Sequence, residues 1–232
     1  MRRNYRSVLA VLYDIHANLP ALEAVLADAR AQGATAFFLG GDYTGFGPFP
    51  RETLDALDAI REPTVWIRGN GERWLREPPL DRPEVMEGLR KRADDPRQFD
   101  EDTTERLYRL PPRAEVDGVA YVHGCLLSDV DSFAVDPQDA DVLRCGGLTG
   151  RTIVFGHSHL QFRRPGPNGN ELVNPGSAGM PLDRDTRAAW ASWDGSDFAF
   201  HRTEYDLDRA IAAARGMGEW GERIVQRYTK AD

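Results

Sequence analysis

Short apolar runs recur along the chain, and each closes on a polar residue. SVLAVLY leads to Asp14, TAFFLGG to Asp42, TVWIRG to Asn70, VAYV to His123 and TIVFG to His157. The runs are too short for independent helices and nearly continuous in hydrophobicity. Strands covered on both faces have this pattern. Between the early runs the period becomes helical. Asn18 suits an N-cap and Pro20 a first turn. Leu22, Val25, Leu26 and Ala29 then form one stripe, which Gly33 ends. Residues 50–60 repeat the pattern, with Leu54, Leu57 and Ile60 on one face. This alternation of strand and helix predicts a parallel sheet with covering helices.

Residues 74–110 are charged and helical, with PPLDRP as a breaker near their start. They predict an inserted pair of helices over the sheet edge. After Gly156 the pattern changes. Residues 161–164, 171–173, 188–193 and 198–203 are short strands separated by turns such as PGPNGN and DGSD, which predicts an antiparallel second sheet. Residues 206–230 predict a helical tail broken at Gly216, Gly218 and Gly221, whose apolar face could serve a homo-oligomer. The expected fold class is α/β: one domain over residues 1–232, made of two packed sheets flanked by helices.

Composition narrows the partners. The 232 residues suffice for one full core. The net charge of -8 argues against a general affinity for nucleic acid or an anionic membrane, since both need a basic surface. Cys125 and Cys145 make neither a disulfide framework nor a zinc-ligand spacing, and suit reduced thiols. The basic start and the run VLAVLY resemble a leader only superficially. The run is six residues long, ends in Asp14 and has no small-residue cleavage site. No window approaches the roughly 18 apolar residues of a membrane span. A cytoplasmic location and a small-molecule partner are therefore expected.

In open α/β sheets, ligands bind at the carboxyl ends of the strands. Asp14, Asp42, Asn70, His123 and His157 all fall at such ends. His16 and His159 each lie two residues further on, and alternate residues of an extended chain point the same way. Seven nitrogen and oxygen donors are thus expected to converge on one edge. Of the five histidines, only His201 falls elsewhere, in FAFHRTEY, with no special role expected. Asp, Asn and His together suit divalent metals such as Mn, Fe or Zn.

The series D-I-H (14–16), G-D-Y (41–43), G-N-G-E (69–72), V-H-G (122–124) and G-H-S-H (156–159) resembles the calcineurin-like metallophosphoesterase family. It looks most like the small bacterial and archaeal phosphodiesterase branch, as do GDYTGFGPFPRE and NPGSAGMP. The resemblance implies a four-layer fold in which helices flank a two-sheet β-sandwich. It implies two divalent metal ions, Mn first, with Fe, Ni or Zn as alternatives. Asp14, His16 and His159 would hold one ion, Asn70, His123 and His157 the other, and Asp42 would bridge them. The implied activity is a dinuclear metal-dependent phosphoesterase, a phosphodiesterase rather than a phosphomonoesterase. It would cleave small phosphate esters or nucleotides by in-line attack of a metal-bridging hydroxide, with Asp42, Asn70 and His123 as catalytic residues. Two cations about 3.5–4 Å apart suit that chemistry. The alternative is a non-catalytic metal-binding scaffold or docking protein on the same fold.

One position departs from the family pattern. Many members have a histidine after the G-N pair, and the phosphodiesterase branch often has a cysteine, where this chain has Gly71. That histidine is held to stabilise the transition state or protonate the leaving group. Gly71 therefore points to diesters, or to esters with acidic leaving groups, unless Glu72 or Arg73 supplies the missing group. Arg68, Gly71 and Arg73 are the candidate substrate contacts. Asn174 and Ser177 are expected to shape a turn near the site, and GFGPFP to stiffen the loop beside Asp42.

Overall fold

The computed structural model describes residues 8–83, 85, 86 and 99–230. The first sheet contains β1 (Val8–Leu12), β2 (Ala34–Leu39) and β3 (Thr64–Trp66), all parallel, with β9 (Ala188–Trp193) and β10 (Phe198–Thr203) added antiparallel to give the order β10-β9-β1-β2-β3. The second contains β4 (Arg113–Val116), β5 (Val119–Val122), β6 (Thr152–Val154), β7 (Gln161–Pro165) and β8 (Glu171–Pro175), in the order β4-β5-β6-β8-β7. Its central strands β5, β6 and β8 are parallel. Both sheets are mixed and five-stranded, and helices flank them, as the α/β expectation requires.

Burial of β1 explains its unbroken hydrophobicity. Leu9, Val11 and Tyr13 pack between the sheets with Phe38, Tyr121, Val154 and Val173. Ala10 and Leu12 pack on the other side, against Leu22, Val25 and Leu26 of α1 (Leu19–Ala31) and Leu54 and Leu57 of α2 (Pro50–Asp58). Both alternations of the strand are therefore apolar. Asn18 caps α1 by accepting from the Ala21 N–H at 3.3 Å, and Pro20 occupies its first turn, as the sequence indicates. The stacked rings of Phe38 and Tyr121, 4.0 Å apart, tie the two sheets face to face.

The second sheet differs from the expected antiparallel unit. The late strands divide: β7 and β8 join β5 and β6, while the β9–β10 hairpin returns to the free edge of β1. Period-2 patterning identifies a strand but leaves its partner open, and this return pairs residues almost the whole chain apart. β4 was absent from the sequence expectations. Asp117 and Gly118, both at positive φ (50° and 79°), join it to β5 as a tight hairpin turn.

Of the expected helices over residues 74–110, α4 (Glu101–Tyr108) buries Leu107 against the first sheet's helical layer. Residues 84 and 87–98 of that stretch lie outside the described residues. After the short helix α5 (Asp141–Arg144), the tail forms two helices, α6 (Leu207–Arg215) and α7 (Glu219–Lys230), parted at Gly216 to Gly218. Gly221 lets them cross closely: a Cβ there would lie 1.7 Å from the Ala214 carbonyl oxygen. Ile224, Val225 and Tyr228 of α7 are buried with Met180, beside Phe46. The apolar face that the sequence offers to a second copy is thus covered within the chain. No helix of the described residues is long and apolar enough to cross a membrane.

Candidate metal centre

The parallel strands β1, β2 and β3 end together, and so do β5 and β6 of the facing sheet. The seven candidate ligands follow these ends. They come from both sheets, so the site lies across the mouth of the sandwich and not along one sheet edge. The turns that carry them are strained. Asp14, His16, Asp42, His157 and His159 all have left-handed backbones, with φ between 49° and 65°. Non-glycine residues in that region cost about 1–3 kcal/mol each and cluster where surrounding structure enforces them. Gly156 is needed where the second sheet meets the first: a Cβ would fall 2.6 Å from Asp14 Oδ2.

Ring orientation comes from backbone carbonyls, which can only accept. His16 Nδ1 donates to Gly45 O at 3.2 Å, His123 Nδ1 to Gly40 O at 2.9 Å and His159 Nδ1 to Met180 O at 2.6 Å. Each Nε2 is then a bare lone pair aimed into the site. His16 Nε2 and His159 Nε2 face each other at 3.0 Å. Asp14 Oδ1 lies 3.5 Å from His159 Nε2, 3.8 Å from His123 Nε2 and 3.9 Å from His16 Nε2. Asp14 Oδ2 accepts the His157 backbone N–H at 2.9 Å, whereas Oδ1 is buried with no hydrogen-bond partner. Acceptors crowded this way repel one another unless a cation lies among them.

Asp42 faces two ways. Its Oδ2 is 3.8 Å from His16 Nε2 and its Oδ1 is 3.5 Å from His123 Nε2. On the His123 side the Asn70 amide oxygen lies 3.1 Å from His123 Nε2 and 2.8 Å from His157 Nδ1. Turned over, the amide would donate to both rings; with its oxygen inward, the three acceptors again suit a cation. The donors of Asp14, His16 and His159 lie within 4.8 Å of one another, as do those of Asp14, Asp42 and His123. All seven candidate ligands therefore meet. Hard carboxylates and amide oxygen mixed with imidazole fit divalent Mn, Fe or Zn.

Burial sets the charges. It lowers the pKa of His159 to about 3 and of His157 to about 4, and takes His16 well below its ordinary value. The contacts of His16 and His159 with Asp14, and of His16 with Asp42, are thus not ion pairs. Burial raises Asp14 to about 7 and Asp42 well above the carboxylate range, with neighbouring carboxylates adding to both shifts. Neutral rings and reluctant carboxylates form a site that positive charge would stabilise.

Three side chains hold this frame. Glu72, at the end of the short helix α3 (Asn70–Arg73), is buried and accepts the N–H groups of Asp42 (2.8 Å), Tyr43 (2.9 Å) and Gly69 (2.9 Å). Ser177 Oγ donates to Asp14 O at 2.6 Å and accepts from Met180 N at 2.7 Å. Asn174 Nδ2 donates to Ser158 Oγ at 2.9 Å, bracing the His157–His159 turn. Ser177 and Asn174 match the expected turn-shaping role. The frame role of Glu72 was not anticipated.

The candidate substrate contacts lie elsewhere. Arg68 donates to Tyr108 O at 2.8 Å, and Arg73 forks onto Asp129 with two bonds of 2.7 Å. Both line a second hollow, beside Leu127 and Ser128, that shares His123 with the ligand cluster. Gly71 donates its N–H to Asp42 Oδ1 at 2.6 Å, and a Cβ would sit 2.9 Å from that same oxygen. It positions a ligand instead of lining the cleft. The cleft over the ligands, about 320 Å³, is bounded by Phe46, Trp74, Arg82, Trp220 and Arg227. The tail positions carried a usable signal: Trp220, Arg223, Ile224 and Arg227 follow i, i+3, i+4, i+7 spacing, one face of α7.

Known proteins share this architecture. An uncharacterized protein of Methanocaldococcus jannaschii is 28% identical over 94% of this chain and 98% of its own length. A metallophosphoesterase from Sphaerobacter thermophilus superposes with a TM-score of 0.78 at 26% identity, covering 97% of this chain and 100% of that one. A hypothetical protein from Pyrococcus horikoshii gives 0.76 at 20% identity, covering 97% and 99%. The sequence profile of the calcineurin-like phosphoesterase superfamily domain matches residues 8–195, the stretch that contains all seven clustered side chains, and the chain belongs to that family.

Proposed function

We propose that the protein is a dinuclear metal-dependent phosphohydrolase that prefers phosphodiesters. The observation that carries the reading is the disposition of Asp42, whose Oδ2 faces His16 and whose Oδ1 faces His123, with the unpartnered Asp14 Oδ1 lying within 4 Å of both rings. Asp14, His16 and His159 would hold one divalent ion, Asn70, His123 and His157 the other, with Asp42 shared. Two such ions supply charge stabilisation for phosphoryl oxygens and a nucleophile at neutral pH. The chain itself fixes the ligand directions through the three Nδ1–carbonyl bonds, and Gly71 N–H holds Asp42 in its two-way orientation.

The preference for diesters rests on what surrounds Gly71. Glu72 is fully engaged with backbone N–H groups, and Arg73 with Asp129. Neither is placed to protonate a leaving alkoxide, so esters with acidic leaving groups are favoured. The Mn-loaded protein is expected to turn over bis-p-nitrophenyl phosphate faster than an alkyl phosphomonoester. Steady-state rates on both substrates check this, and faster monoester turnover would refute the preference.

Metal affinity should depend on pH. Below about 7 the Asp14 carboxyl of the metal-free protein holds a proton that a cation must displace. Affinity for Mn is then expected to fall by roughly tenfold per pH unit below that point, and Asp42, raised in the same way, steepens the fall. His157 and His159 stay neutral down to about 4 and about 3, so they add nothing to the slope above pH 5. Calorimetric Mn titrations between pH 5.5 and 8.5 measure it. A flat profile would remove Asp14 from the ligand set.

A further inference from the structure

We propose that the ester cleaved here carries a second phosphate, making it a di- or polyphosphate ester, and that Arg82 and Arg227 are the residues that bind that group. The inference rests on the phosphohydrolase reading and narrows its substrate. The cleft wall opposite the acceptor clusters is basic, although the chain as a whole has a net charge of -8. Arg82 enters from the segment after α3, and Arg223 and Arg227 from α7. These arginines reach the one cleft from two distant parts of the chain. Arg82 and Arg227 line the cleft together with His16, His157 and His159.

One phosphoryl group needs no such wall, because the centre itself would neutralise it once two divalent ions offset Asp14 and Asp42. Arginines from two parts of the chain add positive charge that a single phosphate does not use. Guanidinium forks match phosphate oxygens with paired hydrogen bonds, so they suit neighbouring phosphates better than an apolar or neutral substituent. The arrangement is also firm. Ile224 and Val225 anchor α7 in the tail core, and Trp220 Nε1 donates to Phe46 O at 3.3 Å across the cleft. Arg223 lies over the Trp220 ring, 5.9 Å from its centroid.

The test compares two probes that share base and sugar: AMP, and ADP with a methylene group bridging the α and β phosphorus atoms. Binding to the full-length, Mn-saturated protein is measured by calorimetry, with free Mn held above both nucleotides. The wild type should bind the diphosphate about tenfold more tightly than AMP or better. Arg82→Gln combined with Arg227→Gln should collapse that ratio to within about twofold, each single change giving part of the loss. Glutamine matches arginine in helix propensity and removes its charge. A purely structural role would weaken both probes alike and leave the ratio unchanged. That result, or a wild-type ratio near one, overturns the proposal. Wild-type turnover of bis-p-nitrophenyl phosphate tests the underlying phosphohydrolase reading separately, since the nucleotide ratio needs no turnover.

Discussion

Asp42→Asn should lower hydrolysis of bis-p-nitrophenyl phosphate by about a thousandfold while leaving the metal-free fold as stable as before, or more so. The carboxylate presents one oxygen toward His16 and the other toward His123. An amide retains one of them. Gly71 N–H donates to Oδ1 at 2.6 Å, so the amide oxygen is expected to stay on that side. The NH2 group then faces His16, where it offers no lone pair. The cluster of Asp14, His16 and His159 should lose its ion first, and Mn content should fall from two per chain toward one. The stability term has the opposite sign. Burial and the nearby Glu72 raise the Asp42 pKa, so at neutral pH the ionised group costs the empty protein stability that an amide does not. Elemental analysis, steady-state kinetics and urea unfolding in chelator separate these effects. A variant that keeps two Mn ions and turns over within tenfold of wild type would show that Asp42 is not shared.

The sequence revealed the site more clearly than the sheets. Strands covered on both faces leave continuous apolar runs, so a polar residue that ends one stands out, and Asp14, Asp42, Asn70, His123 and His157 were visible for that reason. His16 and His159 were expected from alternation on an extended chain, whereas left-handed turns at both residues are what bring them to the site. Strand partners were not visible: the alternation in β9 and β10 satisfies either sheet, and only packing sends them to β1. The β4 hairpin could have been found from Asp117-Gly118, a dipeptide suited to a two-residue turn. Adjacency misled at Arg68 and Arg73. They flank Asn70 in sequence, but the chain turns into α3 there, which carries Arg73 to Asp129 while Arg68 reaches Tyr108. The arginines that do line the cleft lie far apart in sequence, and no local pattern joins Arg82 to Arg227.

Glu72 was the least legible residue of all, because a buried carboxylate looks like a solvated one in sequence. Glu72→Ala should destabilise the metal-free protein by about 3–9 kcal/mol, since it strands the buried N–H groups of Asp42, Tyr43 and Gly69 at roughly 1–3 kcal/mol each. That is a large share of the roughly 5–15 kcal/mol that holds a domain together. The same bonds fix the left-handed turn at Asp42 and the start of α3, so metal content and turnover should fall with stability. Glu72→Gln keeps one acceptor oxygen but turns an amide donor toward backbone donors, and should fall between wild type and alanine. Urea unfolding in chelator measures the three proteins on one scale. The contrast with Asp42→Asn decides the roles: a ligand change removes activity and spares the empty fold, whereas loss of the frame carboxylate weakens the fold before any ion is added. If Glu72→Ala unfolds within about 1 kcal/mol of wild type, water has replaced the carboxylate and the turn at Asp42 is held by other contacts.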